Sequence, residues 1–522
     1  MSMIEALQKA EAYPHPVGEV SLAETHISWV FLSGDYAYKV KKPMDFGFLD
    51  FSTLAQRKHF CEEELRLNRR FAPQLYLDVV PVTREGDSFA FAGAGEAVDY
   101  AVRMTQFDSE SLLDRKAAAG ELQASGIRKI GRAIADFHAA LAKEPAPDSG
   151  ITPRPGSPEA AWAPAQQNFE QVEPLLARAE DLQKLDAIRQ WSEQSFAGLE
   201  AFMRQRLENG FVRECHGDLH LGNMVQIDGE VVFFDCIEFN PSFRQIDVAC
   251  ELAFTVMDLE ARGMADHASL LLNTYLEESG DYDGLRVLNF YKVYFALVRA
   301  KVTLFQAHGV PAEELAQHAV YPEFLKYLNL ALGYTRGESP FVAMMHGVSG
   351  SGKSTVAEAI AGASGAIRVR SDVERKRLYG LAPGDSSNKD IYSREATIRT
   401  FDRLAELVQV ITSAGFSCIV DATFLHREVR DRFVTLATEL GCRARILDCR
   451  LDEETLVRRL DARTERGDDV SEATVEIMRL QQGDRDALAA VELAYTTEID
   501  ASDYLSGDQL DAVLESLGHT NT

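Results

Sequence analysis

The N-terminal part of the chain alternates between apolar and polar positions in the way that short β-strands do. The segment 52–71 instead repeats apolar residues at helical spacing, with Ser52 or Thr53 as the capping residue. We therefore expect a small antiparallel sheet with one inserted helix. Its strands are predicted at 27–32, 35–43, 76–83 and 98–107.

The pattern then becomes mainly helical, and helices are predicted at 127–142 and 171–207. The stretch between them, 143–168, is rich in Pro, Ser and Gly, and this composition predicts a surface loop. A strand pair at 224–235 interrupts the helical region, because an Asp-Gly pair between two apolar runs is a strong hairpin signal. Helices are expected to resume after this hairpin.

A domain boundary is predicted in the polar, glycine-containing stretch 332–340. Beyond it the pattern restarts as strand, glycine-rich loop, helix, strand, helix and strand, which is typical of a parallel α/β sheet. We therefore predict an α+β domain followed by an α/β domain. The predicted ranges are 1–335 for the first domain, with an N-lobe at 20–105 and a helical C-lobe at 108–335, and 340–522 for the second.

Composition narrows the classes of function. The 522 residues carry a net charge of −27, which disfavours binding to long nucleic acids or anionic membranes. We expect no membrane span, because no apolar run is long enough to cross a bilayer. The 7 cysteines are scattered and show no metal-binding spacing. They predict buried free thiols in a reducing compartment, and we expect a cytoplasmic protein.

The most specific motif is 347–354, which fits the pattern G-x-x-x-x-G-K-[ST] between an apolar strand and a helix. Glycines let backbone N–H groups wrap a phosphate chain, and the helix presents its positive end to the same anion. In this P-loop, Lys353 is expected to contact the β- and γ-phosphates of ATP and to act in catalysis, while Ser354 ligates Mg²⁺. The predicted nucleotide-binding residues are Gly347, Ser349, Gly350, Ser351, Gly352, Lys353, Ser354 and Thr355.

Further candidate groups follow the P-loop along the chain. Asp372 and Arg375 lie one helical turn apart just beyond a predicted strand. Asp372 can deprotonate an acceptor hydroxyl, although it can also simply cap its helix. Asp421 ends another apolar strand, where a carboxylate can join the magnesium shell. Arg459 and Arg463 lie on a later helix and can close over the phosphates, Arg459 as a nucleotide ligand and Arg463 as a catalytic group.

A second constellation lies in the segment ECHGDLHLGNMVQIDGEVVFFD. It combines H-x-D with a later Asn and with an Asp that ends a hairpin, which is the logic of a kinase catalytic loop. Asp218 would accept the proton of the acceptor, while Asn223 and Asp235 would hold Mg²⁺. A metal pair formed by His216 and His220 is the alternative interpretation.

The strand at 35–43 offers a phosphate-binding cation. Lys39 and Lys41 point to the same face because strand side chains alternate. We choose Lys39 as the residue that contacts the α- and β-phosphates, and we expect Glu64 or Glu63 of the inserted helix to position it.

The strings HGDLHLGN and FFDCIEFN resemble aminoglycoside phosphotransferases and their choline and homoserine kinase-like relatives, over about residues 20–330. The resemblance implies a protein-kinase-like fold. It also implies that Asp247 braces the catalytic loop. This chain has Leu221 where the family commonly has Pro, a change that leaves the chemistry intact.

The P-loop and the Asp372-x-x-Arg375 spacing resemble the small P-loop kinases, most closely their polynucleotide kinase branch, over about residues 340–515. This resemblance implies that Asp372 is a general base and Arg375 a contact to the substrate. The order of the two halves resembles bacterial proteins that join an aminoglycoside phosphotransferase-like domain to a P-loop ATP-binding domain.

Together these features predict a bifunctional ATP- and Mg²⁺-dependent kinase that phosphorylates small-molecule hydroxyl acceptors at two sites. The second site would act on a second hydroxyl or on the product of the first. Two alternatives stay open: an aminoglycoside-type antibiotic phosphotransferase, and a kinase regulated by a non-catalytic P-loop domain. A protein or nucleic-acid kinase is disfavoured, because the sequence shows neither a basic groove nor an aromatic stacking platform.

Overall fold

The structure is a computed structural model that describes residues 2–45, 47, 49–142, 151–337, 339–385, 387, 389–466, 473–502 and 505–519, with backbone alone at 389–390 and 463–466. Its contacts form two compact units that alternate along the chain. The first unit comprises 1–129, 136–167 and 200–258, and the second comprises 130–135, 168–199 and 259–522.

The first unit begins with a six-stranded antiparallel sheet in the strand order β1-β2-β3-β6-β4-β5. The strands are β1 Ser21–Glu24, β2 Ser28–Leu32, β3 Tyr36–Lys41, β4 Tyr76–Glu85, β5 Ser88–Phe91 and β6 Glu96–Thr105. Helix α1 spans Met3–Leu7, and α2 spans Leu54–Asn68 between β3 and β4. The predicted sheet with one inserted helix is therefore confirmed. The short strands β1 and β5 were not predicted, because four residues are too few to show a clear alternation.

The remaining strands of the first unit form two short antiparallel pairs, β7 with β10 and β8 with β9. They span β7 Val212–Glu214, β8 Met224–Ile227, β9 Glu230–Phe233 and β10 Gln245–Asp247. The predicted hairpin turn is confirmed: Asp228 and Gly229 both have positive φ, of 51° and 82°, as the turn of a two-residue hairpin requires.

Helices follow the sheet for much of the chain. They span α3 Leu113–Ala118, α4 Ala124–Ala140, α5 Pro158–Val172, α6 Ala179–Glu208, α7 Pro241–Arg244 and α8 Val248–Ala261. The predicted loop at 143–168 is wrong from Pro158 onwards, where α5 begins. Its buried residues Ala165, Phe169 and Val172 recur at helical spacing, a signal that the proline-rich composition concealed. Residues 143–150 of that prediction lie outside the described residues.

The second unit contains a parallel sheet of five strands in the order β12-β13-β11-β14-β15. They span β11 Phe341–His346, β12 Ile367–Arg370, β13 Cys418–Asp421, β14 Arg443–Arg450 and β15 Thr496–Asp500. Every residue of β11 and β13 is buried, because helices cover both faces of such a sheet. The predicted parallel α/β sheet is confirmed.

The helices of the second unit come from both sides of the predicted boundary at 335–340, and residues 179–199 of α6 belong to this unit as well. Helix α9 precedes this boundary and nevertheless packs against α13 and the edge strand β12. The helices span α9 Ala265–Ser279, α10 Leu285–Phe305, α11 Ala312–Leu315, α12 Tyr321–Tyr334, α13 Lys353–Ser364, α14 Ser371–Leu378, α15 Arg394–Ser413, α16 Arg427–Glu439, α17 Glu453–Arg466, α18 Val475–Gly483, α19 Ala490–Leu493 and α20 Gly507–Leu517.

The helices and the cysteines bear on the expectations drawn from composition. Within the described part of the chain, no helix combines the length and the apolar character needed to cross a bilayer. All seven cysteines are described and are free thiols, and six of them are buried. Burial raises the pKa of these thiols, for example that of Cys61 to about 12, so they are unreactive structural groups.

The structure identifies Thr53 as the cap of α2. Its hydroxyl accepts the N–H of Gln56, and the Gln56 side chain accepts the N–H of Thr53 in return. We predict that Thr53→Ala lowers the free energy of unfolding by about 1 kcal/mol, whereas Ser52→Ala changes it little. Urea unfolding of the full chain measures both values, and equal losses for the two variants would contradict the assignment.

Candidate active sites

The loop that carries Asp218 is fixed by a buried carboxylate. Glu251 of α8 accepts the backbone N–H groups of His216 and Gly217 at 2.6 and 2.7 Å, and it binds the ring of His138 at 2.9 Å. Gly217 has a φ of 89°, and a Cβ there would lie 2.6 Å from a backbone oxygen. The loop therefore needs glycine at this position and the carboxylate beside it.

Among the described residues, the Asp247 carboxylate accepts hydrogen bonds from Arg206 and from the N–H of Ala249 and not from the loop of Asp218, which corrects the implication of the resemblance. Its carboxylate pairs with buried Arg206 at 2.6 and 2.8 Å. Glu251 performs the bracing instead. The sequence gives only a weak signal for Glu251, a glutamate inside the apolar helix run that follows Asp247.

Asp218 lies beside Asn223 and His220, two other residues of the predicted catalytic loop. The amide of Asn223 donates to the Asp218 carboxylate and to its backbone oxygen, both at 2.9 Å, and the ring of His220 lies 3.6 Å from the same carboxylate. Burial by itself would raise the pKa of this carboxyl group, but the rings of His220 and His216 and the amide of Asn223 leave that pKa lowered. Asp218 is therefore ionised at neutral pH, as a candidate general base must be.

Lys39 and Lys41 share one buried carboxylate. Glu64 of α2 binds Lys39 at 2.9 Å and Lys41 at 2.7 Å, so the two lysines do lie on one face of β3. Lys39 also contacts Asp235, and Lys41 contacts Glu238. Glu238 was not predicted from the sequence, because the need to pair Lys41 arises only from its burial in the fold.

The geometry separates the two lysines. The Lys41 side chain is fully buried, while Lys39 reaches Asp235, whose side chain is 42% exposed. Burial opposes the charge on Lys39, but Asp235 and Glu64 outweigh burial and raise the pKa of this lysine. Lys39 is thus a permanent cation at the accessible end of the cluster. Glu63 is turned elsewhere and pairs with Arg66.

The oxygen atoms of Asn223 and Asp235 fit a magnesium site chemically, since Mg²⁺ prefers carboxylate and amide oxygens. A hydrogen bond from Phe234 N–H to the Asn223 backbone oxygen, 3.0 Å long, keeps the two residues on adjacent parts of the β8–β9 hairpin. Asp235 has a φ of 65° and its N–H donates to the Tyr76 hydroxyl at 2.9 Å. Positive φ is uncommon outside glycine and concentrates at functional sites.

The P-loop adopts a conformation that needs its glycines. Gly347, Gly350 and Gly352 have φ values of 133°, 86° and 84°, and a Cβ on Gly347 would lie 2.8 Å from the backbone oxygen of Cys449. Lys353 donates to the backbone oxygen of Val348 at 2.7 Å. Its amine therefore lies over the loop that a phosphate would occupy.

A cavity of about 640 Å³ adjoins the P-loop in the second unit. The candidate residues that line it are Ser349, Gly350, Gly352, Lys353, Ser354, Thr355, Asp372, Arg375, Asp421 and Arg459. Gly347 and Ser351 line a separate cavity of about 560 Å³ with His346 and Asp448. Arg463 lies in α17, but its side chain is outside the described part of the structure. The large cavity thus gathers most of the predicted groups in one space.

Asp372 and Arg375 both lie in α14 at the wall of the cavity. The N-cap position of α14 is Arg370, so Asp372 lies inside the first turn instead of capping it. Arg375 is buried, and one of its nitrogens donates to Ile391 O at 3.1 Å. Burial lowers the pKa of Arg375, and its Nε has no hydrogen-bond partner among the described residues. A buried guanidinium group with an unsatisfied N–H would be stabilised by an anionic partner.

Asp421 ends β13 beside the P-loop and fits a metal ligand. Its Oδ2 atom is buried and accepts no hydrogen bond from the described part of the chain. Arg370 Nε lies 3.8 Å from this oxygen. The Ser354 hydroxyl lines the same cavity. The pair therefore offers the oxygen ligands that Mg²⁺ requires.

Two protein families match separate parts of the chain. Residues 48–288 match the phosphotransferase enzyme family, and residues 342–488 match an AAA domain family. The chain thus joins a protein-kinase-like phosphotransferase domain to a P-loop kinase domain, which confirms the predicted fold class and supports phosphotransferase activity.

Two mycobacterial relatives span almost the whole chain. This chain is 28% identical to an uncharacterized protein of Mycobacterium tuberculosis over 483 residues. The matched region covers 90% of this chain and 92% of that protein. An uncharacterized protein of Mycobacterium bovis gives the same values.

Two solved kinase-family structures each resemble part of the chain at low sequence identity. A gluconokinase from Sinorhizobium meliloti 1021 is 21% identical and covers 35% of this chain and 93% of its own, with a TM-score of 0.25. A choline/ethanolamine kinase family protein from Mesorhizobium loti is 10% identical and covers 64% of this chain and 97% of its own, with a TM-score of 0.36.

We predict that Glu64→Gln destabilises the first unit by about 3–5 kcal/mol, because it leaves two buried lysines without their shared charge. Glu63→Gln is the matched control. Its main partner Arg66 is 48% exposed, and the contact of Glu63 with Arg244 is longer, at 3.6 Å. The loss should therefore be clearly smaller, on the order of 1 kcal/mol. Chemical unfolding of the full chain measures both, and similar losses would contradict the assignment of Glu64 to the cluster.

The same cluster predicts a dependence on pH. Burial opposes ionisation of Glu64, but Lys39 and Lys41 leave its pKa below the ordinary value of 4.5. A carboxyl group whose pKa is lowered by folding stabilises the fold at any pH above its ordinary pKa. This stabilisation is lost as the pH falls towards the lowered pKa. The wild type should therefore lose stability between about pH 5 and pH 3 more steeply than Glu64→Gln. Parallel unfolding curves for the two proteins would contradict this prediction.

Proposed function

We propose that the chain is a Mg-ATP-dependent kinase that phosphorylates hydroxyl groups of small molecules at two separate sites. The observation that carries the proposal is the cavity of about 640 Å³, where a P-loop lysine, a buried candidate metal carboxylate and a candidate base face one space. The first unit supports it with a comparable set of groups around Asp218.

At the first site, Asp218 would accept the proton of the acceptor hydroxyl. Asn223 orients this carboxylate through its 2.9 Å hydrogen bond. Lys39 would contact the α- and β-phosphates, which requires its contact with Asp235 to loosen. Asn223 and Asp235 would hold Mg²⁺, which neutralises negative charge on the phosphates. Glu64 keeps Lys39 in place through the 2.9 Å ion pair.

At the second site, Lys353 and the P-loop backbone would bind the β- and γ-phosphates. Ser354 and Asp421 would hold the metal ion. Asp372 would take the proton of a second acceptor, and Arg375 would bind an anionic part of that acceptor or the transferred group. Arg459, which donates to Ser502 O at 2.8 Å, would lie over the nucleotide.

Charge and cysteine content support the proposed partners and location. A net charge of −27 disfavours long nucleic acids as acceptors. The seven free thiols suit a reducing compartment, so we place the enzyme in the cytoplasm.

The proposal predicts distinct effects of two substitutions. With ATP and a pooled library of cellular metabolites, Asp218→Asn should lower turnover of one set of acceptors by about 10²–10⁴-fold, because a general base is lost. Lys353→Ala should abolish phosphorylation of a different set. Mass spectrometry of the new phosphorylated products measures both.

Exposed residues supply the controls for this experiment. Asp87→Asn and Lys326→Ala alter side chains that are 106% and 42% exposed, and both should act like the wild type. If no metabolite is phosphorylated although ATP binds, the two-site proposal is wrong. If one substitution removes all products, the sites are not independent.

A further inference from the structure

Helix α9 completes the edge of the parallel sheet, although it lies within the region that matches the phosphotransferase family. Strand β12 is an edge strand. The side-chain amide of Asn273 accepts the N–H of Arg368 at 2.7 Å and donates to Ala366 O at 3.2 Å. These bonds replace those that a neighbouring strand would form. The P-loop site is therefore built partly by a helix that precedes the P-loop domain in the chain.

Glu277 lies one turn further along α9 and binds two arginines of β12. Its Oε1 accepts from Arg368 at 2.7 and 3.2 Å, and its Oε2 lies 3.6 Å from Arg370. The Glu277 side chain is only 13% exposed. One nearly buried carboxylate thus contacts two guanidinium groups, and Glu358 adds a second contact to Arg368 at 3.4 Å.

Each arginine continues to a candidate metal ligand. Arg368 donates to the backbone oxygen of Ser354 at 3.1 Å. Arg370 lies 3.8 Å from Asp421 and lines the cavity of the P-loop. Glu277 is therefore linked to each of the two proposed metal ligands through one arginine: to Ser354 through Arg368, and to Asp421 through Arg370.

The charges explain why Glu277 matters. Arg370 lies between the carboxylates of Glu277 and Asp421. A cation that pairs fully with Asp421 would compete with Mg²⁺ for the same oxygens. Glu277 pairs with the same guanidinium group at 3.6 Å, and Asp421 Oδ2 has no hydrogen bond from the described residues.

We propose that Glu277 is a positioning residue for the metal shell of the P-loop site. It keeps Arg370 from capturing Asp421, and it keeps Ser354 in place through Arg368. This inference rests on the proposed function of the P-loop site. It also makes that site dependent on α9, so that residues 340–522 do not contain all the groups that shape it.

The test measures nucleotide binding to the full chain, with Asp235→Asn in every sample to remove the metal ligand of the first site. The probe is a fluorescent, non-hydrolysable ATP analogue, titrated in EDTA and at increasing Mg²⁺ concentration. We expect Glu277→Gln to raise the Mg²⁺ concentration for half-maximal binding about tenfold, which corresponds to about 1.4 kcal/mol. Affinity in EDTA should stay within about twofold of the parent.

The matched control is Glu278→Gln on the same helix, since Glu278 pairs with Arg132 instead. It should leave the Mg²⁺ requirement unchanged. Adding Arg370→Gln to Glu277→Gln should restore the Mg²⁺ requirement, because the competing cation is removed. This rescue also excludes a general loss of folding, which a second substitution would not repair.

The proposal is overturned if Glu277→Gln leaves the Mg²⁺ requirement unchanged, or if the double variant fails to restore it. It is also overturned if affinity in EDTA falls as much as affinity with Mg²⁺, because that pattern indicates a purely structural role. Lys353→Ala separates the two levels of inference. If Lys353→Ala binds as much of the analogue as the parent does, the P-loop does not bind the nucleotide, and the proposed function of that site is wrong instead.

Discussion

Buried carboxylates that must be paired determine both sites. Glu64 is fully buried between two lysines, Glu251 holds two backbone N–H groups of the Asp218 loop, and Glu277 lies between two arginines. An unpaired charge in such a position is strongly destabilising. Each carboxylate therefore fixes the groups around it, and those groups include the residues to which we assign chemistry.

The two sites use this constraint in different ways. In the first unit, the buried cluster leaves one end accessible, where Lys39 meets Asp235. Lys39 itself is nearly buried there, and Asp235 is the exposed member of the pair. In the second unit, the backbone of the P-loop forms the proposed phosphate site, and glycines permit its positive φ angles. The carboxylate Glu277 acts there from outside the loop.

Local patterns account for most of what the sequence analysis predicted correctly. The alternation of β2 and β3, the Asp228-Gly229 turn and the strand-loop-helix around Lys353 depend on neighbouring residues, which the sequence displays directly. The loop predicted at 143–168 failed in part because proline content outweighed the helical spacing of Ala165 and Phe169. The bracing role was expected of Asp247, which ends β10, and Glu251 performs it from the first turn of α8, four residues later.

The sequence by itself determined the two motifs, the order of the two sheets and the residue types available for phosphate and metal binding. Only the tertiary structure decided which carboxylate neutralises which cation. Lys41 with Glu238, and Glu277 with Arg368 and Arg370, are pairs far apart in the chain. Their pairing follows from burial in a medium that cannot solvate an isolated charge. Residue spacing carries no information about such partners, because only the packing of distant elements brings them together.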